Sequence, residues 1–185
     1  MNGMNVLNKM INKIYNTFDF MVSFKLKKDI HTQFLGSNYG GWNIDPSNLN
    51  SKSIIYSFGI GDDISFDEAC IKMFKCNVFA FDPTNETKEF LKTKEINPNF
   101  KFLPYALSNE NKIANFYPPT QKQYISHTLE EDIYAPSSRN VKKVQVRTLK
   151  SIMNELGHTK IDVLKCDIEG SEYKVLHSLI KQELD

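Results

Sequence analysis

Ile54-Ile55-Tyr56-Ser57-Phe58-Gly59-Ile60-Gly61-Asp62-Asp63 is the stretch from which the rest of the chain is read. Five uncharged residues, mostly β-branched or aromatic, run into two glycines, and a helix-start pattern follows at once. A buried strand that ends in glycines and turns into a helix is where open α/β sheets bring bare backbone against a nucleotide-like ligand. The helix start is Ser65-Phe66-Asp67-Glu68. Its spacing predicts a capping box, in which the Ser65 hydroxyl serves an orphan amide and Glu68 reaches back. The helix it opens turns Ala69, Cys70, Met73 and Phe74 toward the sheet.

Working outward, a second strand runs Val78-Phe79-Ala80-Phe81 and stops at Asp82-Pro83, since proline cannot donate to a ladder. A short helix through Phe90 and Leu91 follows, then a strand near Phe102-Leu103-Pro104-Tyr105-Ala106-Leu107. Phe116-Tyr117 and Val141 to Val146 read as strands of a hairpin-like insertion with a long polar loop between them. Thr148 caps a helix bearing Leu149, Ile152, Met153 and Leu156, which Gly157 closes. Ile161 to Cys166 is the clearest later strand, ending at Asp167. A last helix carries Tyr173, Val175, Leu176, Leu179 and Ile180, with Tyr173 expected in the core. Strands alternating with helices of this length predict a doubly wound, mostly parallel α/β sheet.

Upstream, Leu7, Ile11, Ile14, Phe18 and Met21 fall near helical spacing. Residues 1–35 are therefore read as an N-terminal helical appendage, 36–52 as a Gly/Asn/Ser-rich linker loop, and 53–185 as the α/β domain. Asn and Lys interrupt the first helix too often for a secretory signal. A helix packed on the domain is the preferred reading over one lying on a membrane surface or a partner.

A formal net charge of +1 offers no electrostatic footprint for nucleic acid. Cys70, Cys76 and Cys166 lack C-x-x-C spacing and sit in apolar runs, which predicts reduced thiols and a cytoplasmic setting. His31, His127, His158 and His177 are scattered without metal-ligand spacing, so no metal site is expected. The sequon Asn85-Glu86-Thr87 lies beside a candidate ligand residue and is not expected to be occupied.

Three strand ends carry the candidate site. Glycine at Gly59 and Gly61 permits left-handed backbone and removes the Cβ that would hold a ligand off. Asp82 follows at about the 20-residue offset at which an acid meets ribose hydroxyls. A dinucleotide would need a third small residue, but that position is Ile64, and Asp62 and Asp63 add negative charge where its phosphates would lie. S-Adenosylmethionine has no phosphate and carries a sulfonium cation, so the same acids are tolerated or helpful. At the later strand end, Asp167 or Glu169 could accept a proton from a substrate hydroxyl or help hold a divalent cation. The residues alone leave open whether they do so or instead cap the last helix.

Val144 to Leu149 followed by Ile161 to Glu172, with its Asp167-Ile168-Glu169-Gly170-Ser171-Glu172 ending, resembles the signature of FkbM-type methyltransferases, and Tyr56 to Asp63 with Asp82-Pro83-Thr84 is similar to a methyltransferase-like branch of that group. The resemblance runs from about Gly40 to Leu176. It implies a Rossmann-like, S-adenosylmethionine-dependent enzyme that methylates oxygen on a small-molecule or glycan acceptor. By position, Gly59 and Gly61 would flank the methionine part, Asp82 the ribose, and Ala106, Leu107 and Ser108 the adenine. Asp167 and Glu169 would face the transferred methyl and the acceptor. Such folds resemble a seven-stranded sheet, so the C-terminal strands are expected to be missing here, leaving an apolar edge. A non-catalytic or truncated methyltransferase-like binding module is the alternative expectation.

Overall fold

The computed structural model describes residues 31–118, 127–129 and 141–184. The expected N-terminal helix, and most of the polar loop expected between Tyr117 and Val141, lie outside them. Residues from Gln33 onward form one compact unit.

Its centre is a four-stranded parallel sheet in the order β5-β4-β3-β9, built from β3 (Ile54–Phe58), β4 (Asn77–Phe81), β5 (Phe100–Leu103) and β9 (Val163–Cys166). Helices α1 (Ser65–Phe74), α2 (Asn85–Lys92), α3 (Leu149–Leu156) and α4 (Glu172–Leu184) connect and cover it. The arrangement is Rossmann-like. β3 has no charged residue because both of its faces are covered. Ile55 packs with Ile64, Phe66, Cys70 and Val78 on one side, while Tyr56 and Phe58 pack with Phe81, Leu107, Leu149 and Ile152 on the other. Phe58 and Phe81 stack with ring centres 4.2 Å apart, and the buried Tyr56 hydroxyl meets His158 Nδ1 at 2.7 Å. Burial pushes the Tyr56 phenol up to about 12 and holds the His158 imidazole below its usual value.

A smaller sheet, in the order β6-β8-β7, joins β6 (Ala106–Leu107), β7 (Lys112–Phe116) and β8 (Lys142–Arg147), with β7 and β8 antiparallel as the hairpin reading predicts. The stretch expected as one strand at Phe102 to Leu107 is two. Pro104 has no N–H to continue the ladder, so the chain leaves the main sheet after Leu103 and resumes in the small one at Ala106.

Four further expectations change. The segment expected as a linker, 36–52, contains β2 (Trp42–Ile44), which pairs antiparallel with β1 (Gln33–Leu35) and joins the unit. The capping box does not form. The Ser65 hydroxyl accepts from the Ser37 N–H at 2.7 Å, and Asp63 Oδ1 takes the Ser65 N–H at 2.7 Å, so Asp63 serves the helix start. Tyr173 is 80% exposed, because α4 meets the sheet through Val175 and Leu179. Asp167 does not cap α4, which begins five residues later at Glu172.

Thr148 caps α3 by accepting from the Ser151 N–H, and Gly157 ends it in left-handed conformation. Among the described residues β9 is an edge strand of the main sheet, and Tyr173, Leu176 and Ile180 are exposed apolar residues of α4. The three cysteines are free thiols; Cys70 and Cys76 are buried and Cys166 is half-buried. Among the described residues no helix is long and apolar enough to cross a membrane.

Candidate functional site

The parallel strands end together on one side of the sheet, and a cleft of about 230 Å³ opens there. Gly59 and Gly61 from the β3 end, Asp82 from the β4 end, and Asp167 and Glu169 from the β9 end all line it. Ala106 and Leu107 contribute an apolar wall. Ser108 does not join them: its N–H continues the small sheet's ladder to the Arg147 carbonyl at 2.9 Å, and the residue borders a separate cavity.

The turn after β3 is fastened from several sides. Gly59 has φ +71° and donates its N–H to the Phe81 carbonyl at 2.9 Å. A Cβ there would lie 1.8 Å from the Asp167 carbonyl oxygen, so this glycine is required by the packing of one strand end on another. The left-handed backbone is as expected, while the space a Cβ would fill is taken by the Asp167 carbonyl. Gly61 has φ +52°, with its N–H donating to Asp82 Oδ2 at 3.1 Å and its carbonyl accepting from the Thr87 hydroxyl at 2.9 Å.

Asp82 is the hub of this arrangement. It is 6% exposed, and its second oxygen accepts from the Thr84 N–H at 2.9 Å and the Thr84 hydroxyl at 2.6 Å. Thr84 in turn caps α2 by accepting from the Thr87 N–H. Neither threonine was expected to take part in the site. The signal available was Asp-Pro-Thr followed by an acidic first turn, an N-cap pattern in which Thr84 and Thr87 stand three apart. Thr87 is buried.

Asp63 binds the β1–β2 connection to the cleft rim. Ser37 Oγ donates to Asp63 Oδ2 at 2.6 Å. Burial alone would raise the Asp63 carboxyl, but hydrogen bonds from Ser37 and Ser65 outweigh it and hold the group below its usual value. A fixed negative charge therefore occupies the head of α1, where a pyrophosphate would otherwise find its amides. Ile64, beside it, is buried in the core.

The β9 end is shaped by backbone. Glu169 is a non-glycine residue at φ +53°, followed by Gly170 at φ +97°. Left-handed backbone costs an L residue roughly 1–2 kcal/mol and persists only where the surroundings hold it. Glu172 does so, accepting from the Ile168 and Gly170 N–H groups at 2.8 Å each, and the Thr128 hydroxyl donates to the Glu169 carbonyl at 2.6 Å. The last acid of the Asp-Ile-Glu-Gly-Ser-Glu run is thus a loop brace. The side chains of Asp167 and Glu169 stay exposed at the cleft mouth. Among the described residues no group of three or more His, Cys, Asp or Glu could hold a metal ion.

The model of the methyltransferase FkbM domain matches residues 34–184. Two curated relatives, both called probable methyltransferase-like protein 24, are similar to this chain. The rat protein is 32% identical over 130 residues, covering 70% of this chain and 29% of its own length. The human protein is 30% identical over 135 residues, covering 73% and 30%. The chain thus spans about three-tenths of the length of these relatives. No solved structure matches.

Proposed function

Because the chain belongs to the FkbM methyltransferase family, we propose that its cleft binds S-adenosylmethionine and that it methylates an oxygen of a small-molecule or glycan acceptor. The observation that carries this reading is the convergence of the Gly59–Gly61 turn, Asp82 and the Asp167/Glu169 loop on one cleft at the carboxyl ends of parallel strands.

The residues present fit the cofactor. Asp62, Asp63, Asp82, Glu86, Asp167 and Glu169 make the cleft acidic, which suits a sulfonium cation and opposes a pyrophosphate. Asp82 Oδ2 accepts a single hydrogen bond, leaving it capacity for a ribose hydroxyl. Ala106, Leu107 and Phe81 offer an apolar wall for the base.

When bound, the cofactor would supply an electrophilic methyl group whose sulfur leaves as a neutral thioether. The chain's own contribution is chiefly positioning, through a turn held rigid by Asp82 and Thr87. Asp167 or Glu169, exposed at the mouth, would accept the proton released by the acceptor hydroxyl. The alternative is a methyltransferase-like binding module without catalysis.

Calorimetry of S-adenosylmethionine and NADH against the full chain, followed by labelled-methyl transfer to a panel of sugars and small hydroxyl compounds, tests both. Binding of the first ligand alone, with transfer, is expected. A folded sample that ignores it removes both readings, and binding with no transfer to any acceptor favours the module.

A further inference from the structure

Lys165 is an anomaly of the β9 strand. Its neighbours Leu164 and Cys166 pack on the aromatic side of the sheet, so Lys165 turns to the α1 side, opposite Ser57. It is 7% exposed, yet among the described residues no carboxylate comes within ion-pairing distance. One of its three protons goes to the Gly59 carbonyl at 3.1 Å, and the Trp42 ring lies 5.9 Å from Nζ. The ammonium feels the buried Asp67 and the Asp63 carboxyls only from beyond ion-pairing distance and hydrogen-bonds one neutral acceptor, so its remaining protons are available to a ligand that enters the cleft.

Lys165 also lines the cleft, where it is the only lysine or arginine among the described residues, against six carboxylates. A ligand with several anionic groups would be repelled there. A ligand with one carboxylate and otherwise positive charge has a single seat for that carboxylate.

We infer that the Lys165 ammonium, held beside the Gly59 turn, receives the α-carboxylate of the amino-acid half of the cofactor. This rests on the S-adenosylmethionine reading and adds to it the residue that tells the amino-acid nucleoside from a plain one. Lys165 also positions the turn, through the Gly59 carbonyl, so the test must separate the two roles.

Calorimetry on the full chain does so with two probes: S-adenosylhomocysteine, which has the carboxylate, and 5′-methylthioadenosine, which keeps the adenosine and sulfur but lacks the amino acid. Loss of one charge-assisted hydrogen bond in Lys165→Met should weaken S-adenosylhomocysteine by about tenfold or more, with 5′-methylthioadenosine changed by less than about threefold. Equal weakening of both probes, or no weakening of either, overturns the inference, the former leaving Lys165 a purely structural brace. Should the variant not fold, the carboxamide of S-adenosylhomocysteine on the wild-type chain decides the same question. It should bind about tenfold more weakly than the acid, and equal binding overturns the assignment. A wild-type chain that binds neither probe refutes the cofactor reading itself, and the assignment with it.

Discussion

Gly59 and Gly157 adopt nearly the same backbone, φ +71° and +69°, but in different surroundings, and replacing each by alanine separates backbone strain from steric demand. At Gly157 nothing lies within 4 Å of an added Cβ. Gly157→Ala should therefore cost only the left-handed penalty of roughly 1–2 kcal/mol, offset in part by roughly 0.4–1 kcal/mol from a stiffer unfolded chain. At Gly59 the added Cβ falls 1.8 Å from the Asp167 carbonyl oxygen, so the β3 and β9 ends must part by more than an ångström. That movement strains the Asp167 N–H bond to the Phe58 carbonyl, the Gly59 N–H bond to the Phe81 carbonyl and the Lys165 bond to the Gly59 carbonyl. At about 1 kcal/mol each, these losses bring Gly59→Ala to about 3–4 kcal/mol. Urea unfolding followed by far-ultraviolet circular dichroism measures both variants. A gap of at least about 2 kcal/mol is expected between them, a large share of a typical domain's stability. If the two variants unfold within about 0.5 kcal/mol of each other, the strand ends accommodate the methyl group without disruption, and the packing account of Gly59 is wrong.

Asp82→Ala removes the acceptor of three hydrogen bonds and should destabilise the fold by about 3 kcal/mol and weaken S-adenosylhomocysteine by about 100-fold; unchanged binding in a folded variant would contradict its role. Thr87→Val deletes the hydroxyl that holds the Gly61 carbonyl and should cost about 1–2 kcal/mol in thermal or urea unfolding, with a neutral result placing the turn's rigidity in Asp82 alone. Burial pushes the Asp67 carboxyl up to about 6, against the pull of nearby Ser57 and Lys165. A carboxyl raised in the folded state adds stability that is complete below its unfolded value of 3.8 and is lost as pH rises through about 6, here about 3 kcal/mol. Asp67→Asn should flatten that loss between pH 4 and pH 7, and a variant whose stability still falls over this range would show that another group carries it.

The parts of this molecule legible in its sequence are those whose pattern has one physical cause. β3, β4 and β9 are short apolar runs ended by glycine or Asp, because strands covered on both faces have no polar side to show. Hence the parallel core and the three strand ends follow from the residue pattern alone. The β1–β2 pair was not legible, since its strands are only three residues long and a Gly- and Asn-rich turn lies between them, so no alternation runs far enough to mark them. Its presence also explains the failed capping box. Ser65 has the right type and spacing, but the Ser37 amide, 28 residues away in sequence, takes its oxygen. Local patterns cannot foresee a distant competitor.

The candidate site differs from its sequence reading most in what the acids around the cleft do, and the structure divides them by what each is bonded to. Asp82 and Asp63 hold backbone and hydroxyl donors, which fixes the turn and the head of α1, and Asp82 Oδ2 still has room for one more donor. Glu172 is spent on the amides of Ile168 and Gly170, which holds Glu169 in its left-handed conformation. Asp167 and Glu169, by contrast, remain exposed at the mouth. A group that must exchange a proton with an incoming acceptor has to be reachable and cannot be consumed by the scaffold, whereas a group that positions a ligand works best when its own geometry is already fixed. On the proposed function, binding at the β3 and β4 ends and proton transfer at the β9 end match this division, which rests on hydrogen-bond occupancy, a property that no spacing of residues along the chain encodes.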